Sequence, residues 1–136
     1  MYDVAVPIMT ALKNDTTLQS LLSDTSPGDS IFQGYGKHET DLPLLIFYKS
    51  GSGPQFGDRE EYNYTFVGLS NSLIKTAQDI ARRALYVINT TFDFTAGSSY
   101  SLAGRPVKVG ENEGYNDEYS ARFCSVEINF IFYKEG

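Results

Sequence analysis

One histidine, one cysteine, and seventeen acidic against eleven basic side chains are what this 136-residue chain offers for chemistry. His38 stands in a polar stretch, YGKHETD, beside Lys37 and Glu39, where a solvated surface residue is a better reading than a base or a ligand. With a single His and a single Cys, no transition-metal cluster can be assembled from the usual ligand set. Cys124 falls on the apolar parity of the closing strand, which points to an inert buried thiol instead of a nucleophile. Residues 51–58, GSGPQFGD, are glycine-rich, yet they lack the Gly-Lys-Ser/Thr ending of a phosphate loop and join two strands, so they read as a hairpin tip. Glu111, Glu113, Asp117 and Glu118 bunch without the alternating calcium-loop pattern and read as a solvated turn. Arg82-Arg83 offers two readings, a contact for an acidic partner or the charged face of a helix. No residue set predicts catalysis, and none predicts a bound cofactor or metal.

The bulk properties narrow the classes further. A net charge of −6 argues against a general nucleic-acid binder, which would carry a basic face; it leaves open DNA that slides past without adhering. The single cysteine excludes an internal disulfide framework and fits a reducing compartment. MYDVAVPIMTAL has neither the basic region nor the small-residue cleavage pattern of a signal peptide. No apolar run approaches the length of a membrane span, so no membrane partner is expected. With 41% hydrophobic residues, ten tyrosines and nine phenylalanines, the chain can pack one core and still present many half-wet rings.

The elements that must position these residues follow from periodicity. Residues 3–23 read as a helix in two pieces: Val4, Ile8, Ala11 and Leu12 form one apolar stripe, Asn14-Asp15 interrupts, and Thr16 with Gln19 has capping-box spacing. Ile31-Phe32 is a short strand. LPLLIFYK at 42–49 is a strand apolar on both parities, with Leu44, Ile46 and Tyr48 against Leu45 and Phe47. After the hairpin tip, residues 59–69 put Tyr62, Tyr64 and Phe66 on one face and Glu61, Asn63 and Thr65 on the other. The clearest helix runs over 71–89, where Leu73, Ala77, Ile80, Ala84 and Val87 should face the sheet and Arg82 and Arg83 the solvent. Its small alanines suit a close approach. A Gly/Ser-rich stretch at 95–104 reads as loop, residues 105–119 as a strand with an acidic turn, and 119–136 as the closing strand. The order predicts an α+β fold, one domain over 1–136 with an antiparallel sheet and the helices on one face.

The closing strand, YSARFCSVEINFIFYKEG, carries a puzzle. Cys124, Val126, Ile128, Phe130 and Phe132 share one parity, as a core-facing strand requires. The other parity is not uniformly polar: it begins with Tyr119, Ala121 and Phe123. A single helix layer covers only one face of a sheet, so Phe47, Tyr119 and Phe123 are assigned to the uncovered parity. They become candidates for a subunit or tube interface, together with Arg82 and Arg83. The alternatives are a loop such as 92–104 folded over that face, or a pocket lined by the aromatics.

Three stretches then resemble a known family: ALKNDTTLQSLLSD, with Ala11, Leu12, Asp15, Leu18 and Leu21 in an AL-x-x-D-x-x-L-x-x-L opening; GLSNSLIKTAQDIARRAL; and YNDEYSARFCSVEINF, with Asp117, Glu118, Arg122 and Phe123 before an aromatic strand. The chain resembles the tail terminator (tail completion) proteins of long-tailed bacteriophages over nearly its whole length. That resemblance implies a non-enzymatic ring, commonly a homohexamer, at the head-proximal end of the virion tail, assembled in the host cytoplasm. Such a ring caps the tail tube protein, stops its polymerisation and meets a head-side connector or stopper, while genomic DNA passes through the lumen without specific binding. Another head–tail connector or minor tail protein, or a small α+β ligand-binding module, would share the compositional features.

Overall fold

In the computed structural model, residues 4–23, 28–34, 42–53, 56–90 and 100–134 are described. His38, Phe92, Phe94 and residues 95–99 lie outside them. Among the described residues three helices and six strands follow in the order α1 (Ala5–Lys13), α2 (Thr16–Leu21), β1 (Ile31–Gln33), β2 (Leu44–Ser52), β3 (Arg59–Ser70), α3 (Ile74–Thr90), β4 (Tyr100–Leu102), β5 (Val107–Asn116) and β6 (Ala121–Lys134). This is the expected α+β order, with the N-terminal helix broken into two pieces at Asn14-Asp15.

All six strands join one sheet, β1-β2-β3-β6-β4, with β5 also paired to β6. β4 and β5 follow one another along the same edge of β6, opposite its residues 132–134 and 121–129. The sheet is mixed, not antiparallel throughout as expected. β1 and β2 run parallel, Ile31 beside Leu45 and Gln33 beside Phe47. β4 is a second difference, a short strand inside the stretch read as loop. Its Tyr100 and Leu102 pack at the rim of the main core.

That core lies between the helices and one face of the sheet. It gathers Ile8, Leu12 and Leu18 from the first two helices, six residues from α3 (Ala77, Ile80, Ala81, Ala84, Val87 and Ile88), and the predicted inward parities of β3 and β6. Four of the rings stack in pairs across or along these strands, Phe47 on Phe66 at 5.8 Å and Phe130 on Phe132 at 6.0 Å between centroids. Gly68 sets how closely α3 can approach. A Cβ built there would lie 2.5 Å from the carbonyl oxygen of Ala77 and 3.0 Å from Cβ of Ile80. An isolated glycine inside a strand commonly marks such a backbone approach, and the alanines of α3 complete it.

Two boundaries at the helix starts differ from expectation. α2 is capped by Asp15, whose carboxylate accepts a 2.9 Å hydrogen bond from the Leu18 amide; Thr16, the expected cap, is the first helical residue. Asp is among the strongest N-cap residues, and the Asp15 carboxylate is also held from the side by Arg83. α3 begins at Ile74, and Leu73, expected in its buried stripe, precedes it and is 66% exposed.

Candidate functional site

The helices cover one face of the sheet, and the other face divides into two halves. At the end formed by the start of β2 and the end of β3, Leu44, Ile46, Leu69 and Ala121 are buried in a second, smaller apolar cluster. Phe32, Leu42, Val67, Tyr119 and Phe123 pack half-buried around it. The register explains the grouping: Leu44 is opposite Leu69, Ile46 opposite Val67, and Leu69 opposite Phe123, all on the side away from α3. Phe123 lies across the bare backbone of Gly114, its cross-strand partner, where an added Cβ would meet the ring edge at 3.0 Å. The turn that carries Tyr119 is held by the side chain of Asn116, which accepts from the Tyr119 amide at 3.0 Å.

The other half of this face is polar. Asn129 donates to Asn63 at 2.7 Å and to Glu61 at 2.9 Å, Arg59 lies 3.3 Å from Glu61, and Ser50 donates to Glu127 at 2.9 Å. Two shallow grooves meet at Tyr48. The apolar one, about 180 Å³, is lined by Ile46, Val67, Leu69 and Tyr119 with Glu118 at its rim. The polar one, about 300 Å³, is lined by Thr65, Asn112, Ser125, Glu111 and Glu127. Pockets for small molecules are mostly apolar and run to roughly 300–1,000 Å³; the apolar groove is smaller than that, and the polar one stands at the lower end of the range.

Of the predicted interface residues, the structure brings two together and buries one in the main core. Tyr119 and Phe123 sit side by side in the small cluster, on the face without helices. Phe47 does not belong with them. It is fully buried in the main core, because the β2–β3 register sets it opposite Phe66 beneath α3. The residues of β2 on the open face are Leu44, Ile46 and Tyr48. Arg83 is also engaged within its own chain: its guanidinium donates twice to Asp15, at 2.8 Å each, and lies 4.6 Å from the Tyr86 ring. This pair ties α3 to the cap of α2. The Arg83 guanidinium holds the Asp15 carboxyl below its ordinary range, while the same bond raises Arg83. Arg82 remains on the outer surface of α3, more than half exposed and 3.5 Å from Glu111.

Cys124 is fully buried in the main core, and burial, reinforced by Glu111 and Glu113, pushes its thiol up to about 11. A thiol so protonated is a poor nucleophile. Among the described residues no group of three or more His, Cys, Asp or Glu side chains is placed to hold a metal ion. The Asp15–Arg83 pair, sixty-eight residues apart, was not visible in the sequence.

No protein-family model matches the sequence, and no curated protein matches it. Solved structures do. The fold is shared with a chain of the virion of a native gene transfer agent particle at a TM-score of 0.65 and 12% identity, covering 100% of both chains. It is shared also with the bacteriophage SPP1 gp17 protein at a TM-score of 0.56 and 13% identity, over 93% of this chain and 86% of that one.

Proposed function

We propose that the chain is a structural virion protein of a long-tailed bacteriophage that forms a ring, a hexamer by family resemblance, on the finished tail tube. The observation that carries this reading is the end-to-end fold match to a virion chain, joined by the match to a bacteriophage protein. Three features agree with it. The sheet has one face without helices and with half-buried aromatics, as expected of a protein completed by neighbours. The acidic net charge would repel the phosphates of DNA passing through a lumen. Among the described residues, the carboxylates of Asp15, Glu61, Asp79, Glu111 and Glu127 are engaged in ion pairs or hydrogen bonds within the chain.

In this reading the partners are further copies of the chain, the tail tube protein and a head-side connector or stopper, at the head-proximal end of the tail. The same ring would stop tube polymerisation and present a surface for joining. Native mass spectrometry with negative-stain imaging, with and without polymerising tube protein, tests it. A closed ring that limits tube length supports the reading. Rings that leave tube length unaffected would point to another connector, and a monomer under all conditions would contradict assembly altogether.

A further inference from the structure

β5 is the strand held least by burial. All of its residues except Gly110 and Asn116 are exposed, and none is buried. β4, on the same edge of β6, instead packs Tyr100 and Leu102 against the main core. The ladder between β5 and β6 is interrupted between Lys108 and Gly110, and a bulge of this kind leaves the extra residue unpaired. Among the described residues no strand pairs with the outer edge of β5. Val107, Val109 and Tyr115 are each more than half exposed, so apolar burial contributes little to keeping the strand in place.

What holds its helix-facing side is polar. Glu113 accepts a 2.6 Å hydrogen bond from Gln78 of α3, and Glu111 lies 3.5 Å from Arg82, one turn further along that helix. Lys108 stands 3.5 Å from the same Glu111. Cys124 lies beneath this row. It is the cross-strand partner of Glu113, and its Sγ is 4.0 Å from Oε1 of Glu111. The thiol is fully buried, and the two carboxylates of β5 lie over it on the side of the sheet edge.

We propose that β5 is a strap held to α3 by charge, which opens locally while the rest of the fold stays intact, and opens more readily as ionic strength rises. Charges at the surface are screened beyond about 3 Å in 1 M salt, whereas the apolar contacts that seat α3 on β3 and β6 do not depend on charge. Local opening is drawn from segments with few buried apolar contacts, and β5 buries none of its side chains. Opening uncovers the Cys124 thiol. It also leaves the backbone N–H and C=O groups along the outer edge of β6, over residues 121–129, without partners, which is the kind of edge that accepts another strand. The strap does not depend on the ring reading above.

Native-state hydrogen exchange, together with alkylation of Cys124 by the uncharged reagent N-ethylmaleimide, tests it. In wild type, about 1 M sodium chloride should speed both exchange of the β5 amides and alkylation by roughly two- to fivefold, the range set by the modest strength of exposed ion pairs. The β3 amides and the urea midpoint should show no such loss. Arg82→Gln and Gln78→Ala each remove one contact of α3 with the strap and touch no core residue. Each should speed both readouts by roughly two- to fivefold at low salt, and Arg82→Gln should leave less for added salt to do. Unchanged urea midpoints show that the opening is local. Exchange of β5 no faster than that of β3, in wild type and variants alike, overturns the strap. So does alkylation that occurs only on global unfolding, or salt that leaves both readouts unchanged.

Discussion

Replacing Gly68 by alanine should cost more than the size of one methyl group suggests. The added Cβ would stand 2.5 Å from the Ala77 carbonyl oxygen, where ordinary contact begins near 3.4 Å, so α3 must lift by about 0.9 Å. A carbonyl inside a helix cannot swing aside as a side chain can. The lift loosens Ala77, Ile80, Ala84 and their neighbours against β3 and β6, and gaps of 0.5–1 Å forfeit about a quarter to a half of each dispersion contact. Overpacking of this kind costs about 1–3 kcal/mol, offset by about 0.4–1 kcal/mol from the stiffer unfolded chain. The net expectation is a loss of about 1–2 kcal/mol, read in urea as a midpoint about 0.5–1 M lower at an m-value near 2 kcal/mol/M. Gly114→Ala is the matched control. There the added Cβ meets only the edge of the Phe123 ring at 3.0 Å, which can give, so the change should stay within about 0.5 kcal/mol. A Gly68→Ala protein as stable as wild type, with an unchanged m-value, would refute the close seating of α3.

Other substitutions probe the remaining contacts. Ile80→Asp should lower stability by several kcal/mol by burying a charge without a partner, at least ~3 kcal/mol, whereas Arg82→Ala on the wet side should barely move the denaturation midpoint; the reverse order would mean α3 is rotated. Asp15→Ala should cost about 1 kcal/mol through loss of the α2 cap, measured by the same urea titration. The Asp15 carboxyl is held below its ordinary 3.8 by Arg83, so its contribution is fully present above that value and is lost as pH falls through the lower, folded one. Stability measured below pH 3.8 should therefore fall less steeply in Asp15→Asn than in wild type, and equal slopes would count against the pair. Cys124, buried and raised to about 11, should resist a thiol reagent in native protein at pH 8 and react at once in denaturant; rapid native labelling would contradict its placement.

Where the sequence alternated cleanly, it spoke for the structure. Tyr62, Tyr64 and Phe66 against Glu61, Asn63 and Thr65 assigned both faces of β3, and Cys124 through Phe132 did so for β6. β2 could not be read in this way. With apolar residues on both parities it has no inside of its own, and only the register of Phe47 with Phe66 decides which parity faces α3. Charge at α3 was legible as a wet stripe, but the fate of each arginine was not. Arg83 finds Asp15 only because α1 and α2 fold back across α3, a fact of tertiary packing. Gly68 did carry a usable signal, a lone glycine between Val67 and Leu69 inside a strand, and the alanines at 77, 81 and 84 were its counterpart. The open aromatic face was legible from Tyr119, Ala121 and Phe123 alone; its polar half, built on Asn129, needed the pairing of β3 with β6.

The central claim is that the open face of the sheet is completed by protein from a neighbouring copy, and Phe123→Ser tests it most directly. The ring is half-buried at the edge of the small cluster, so removing it should cost the monomer little, while burying such a ring in an interface contributes roughly 1.5–3 kcal/mol per contact. Sedimentation of Phe123→Ser and wild type, with melting curves at a fixed low concentration, separates the two effects. Association weakened by roughly tenfold or more, with the dilute melting temperature nearly unchanged, is the predicted result. A collapsed melting temperature with ring formation unchanged in the surviving protein would place Phe123 in the monomer's own core and contradict the claim.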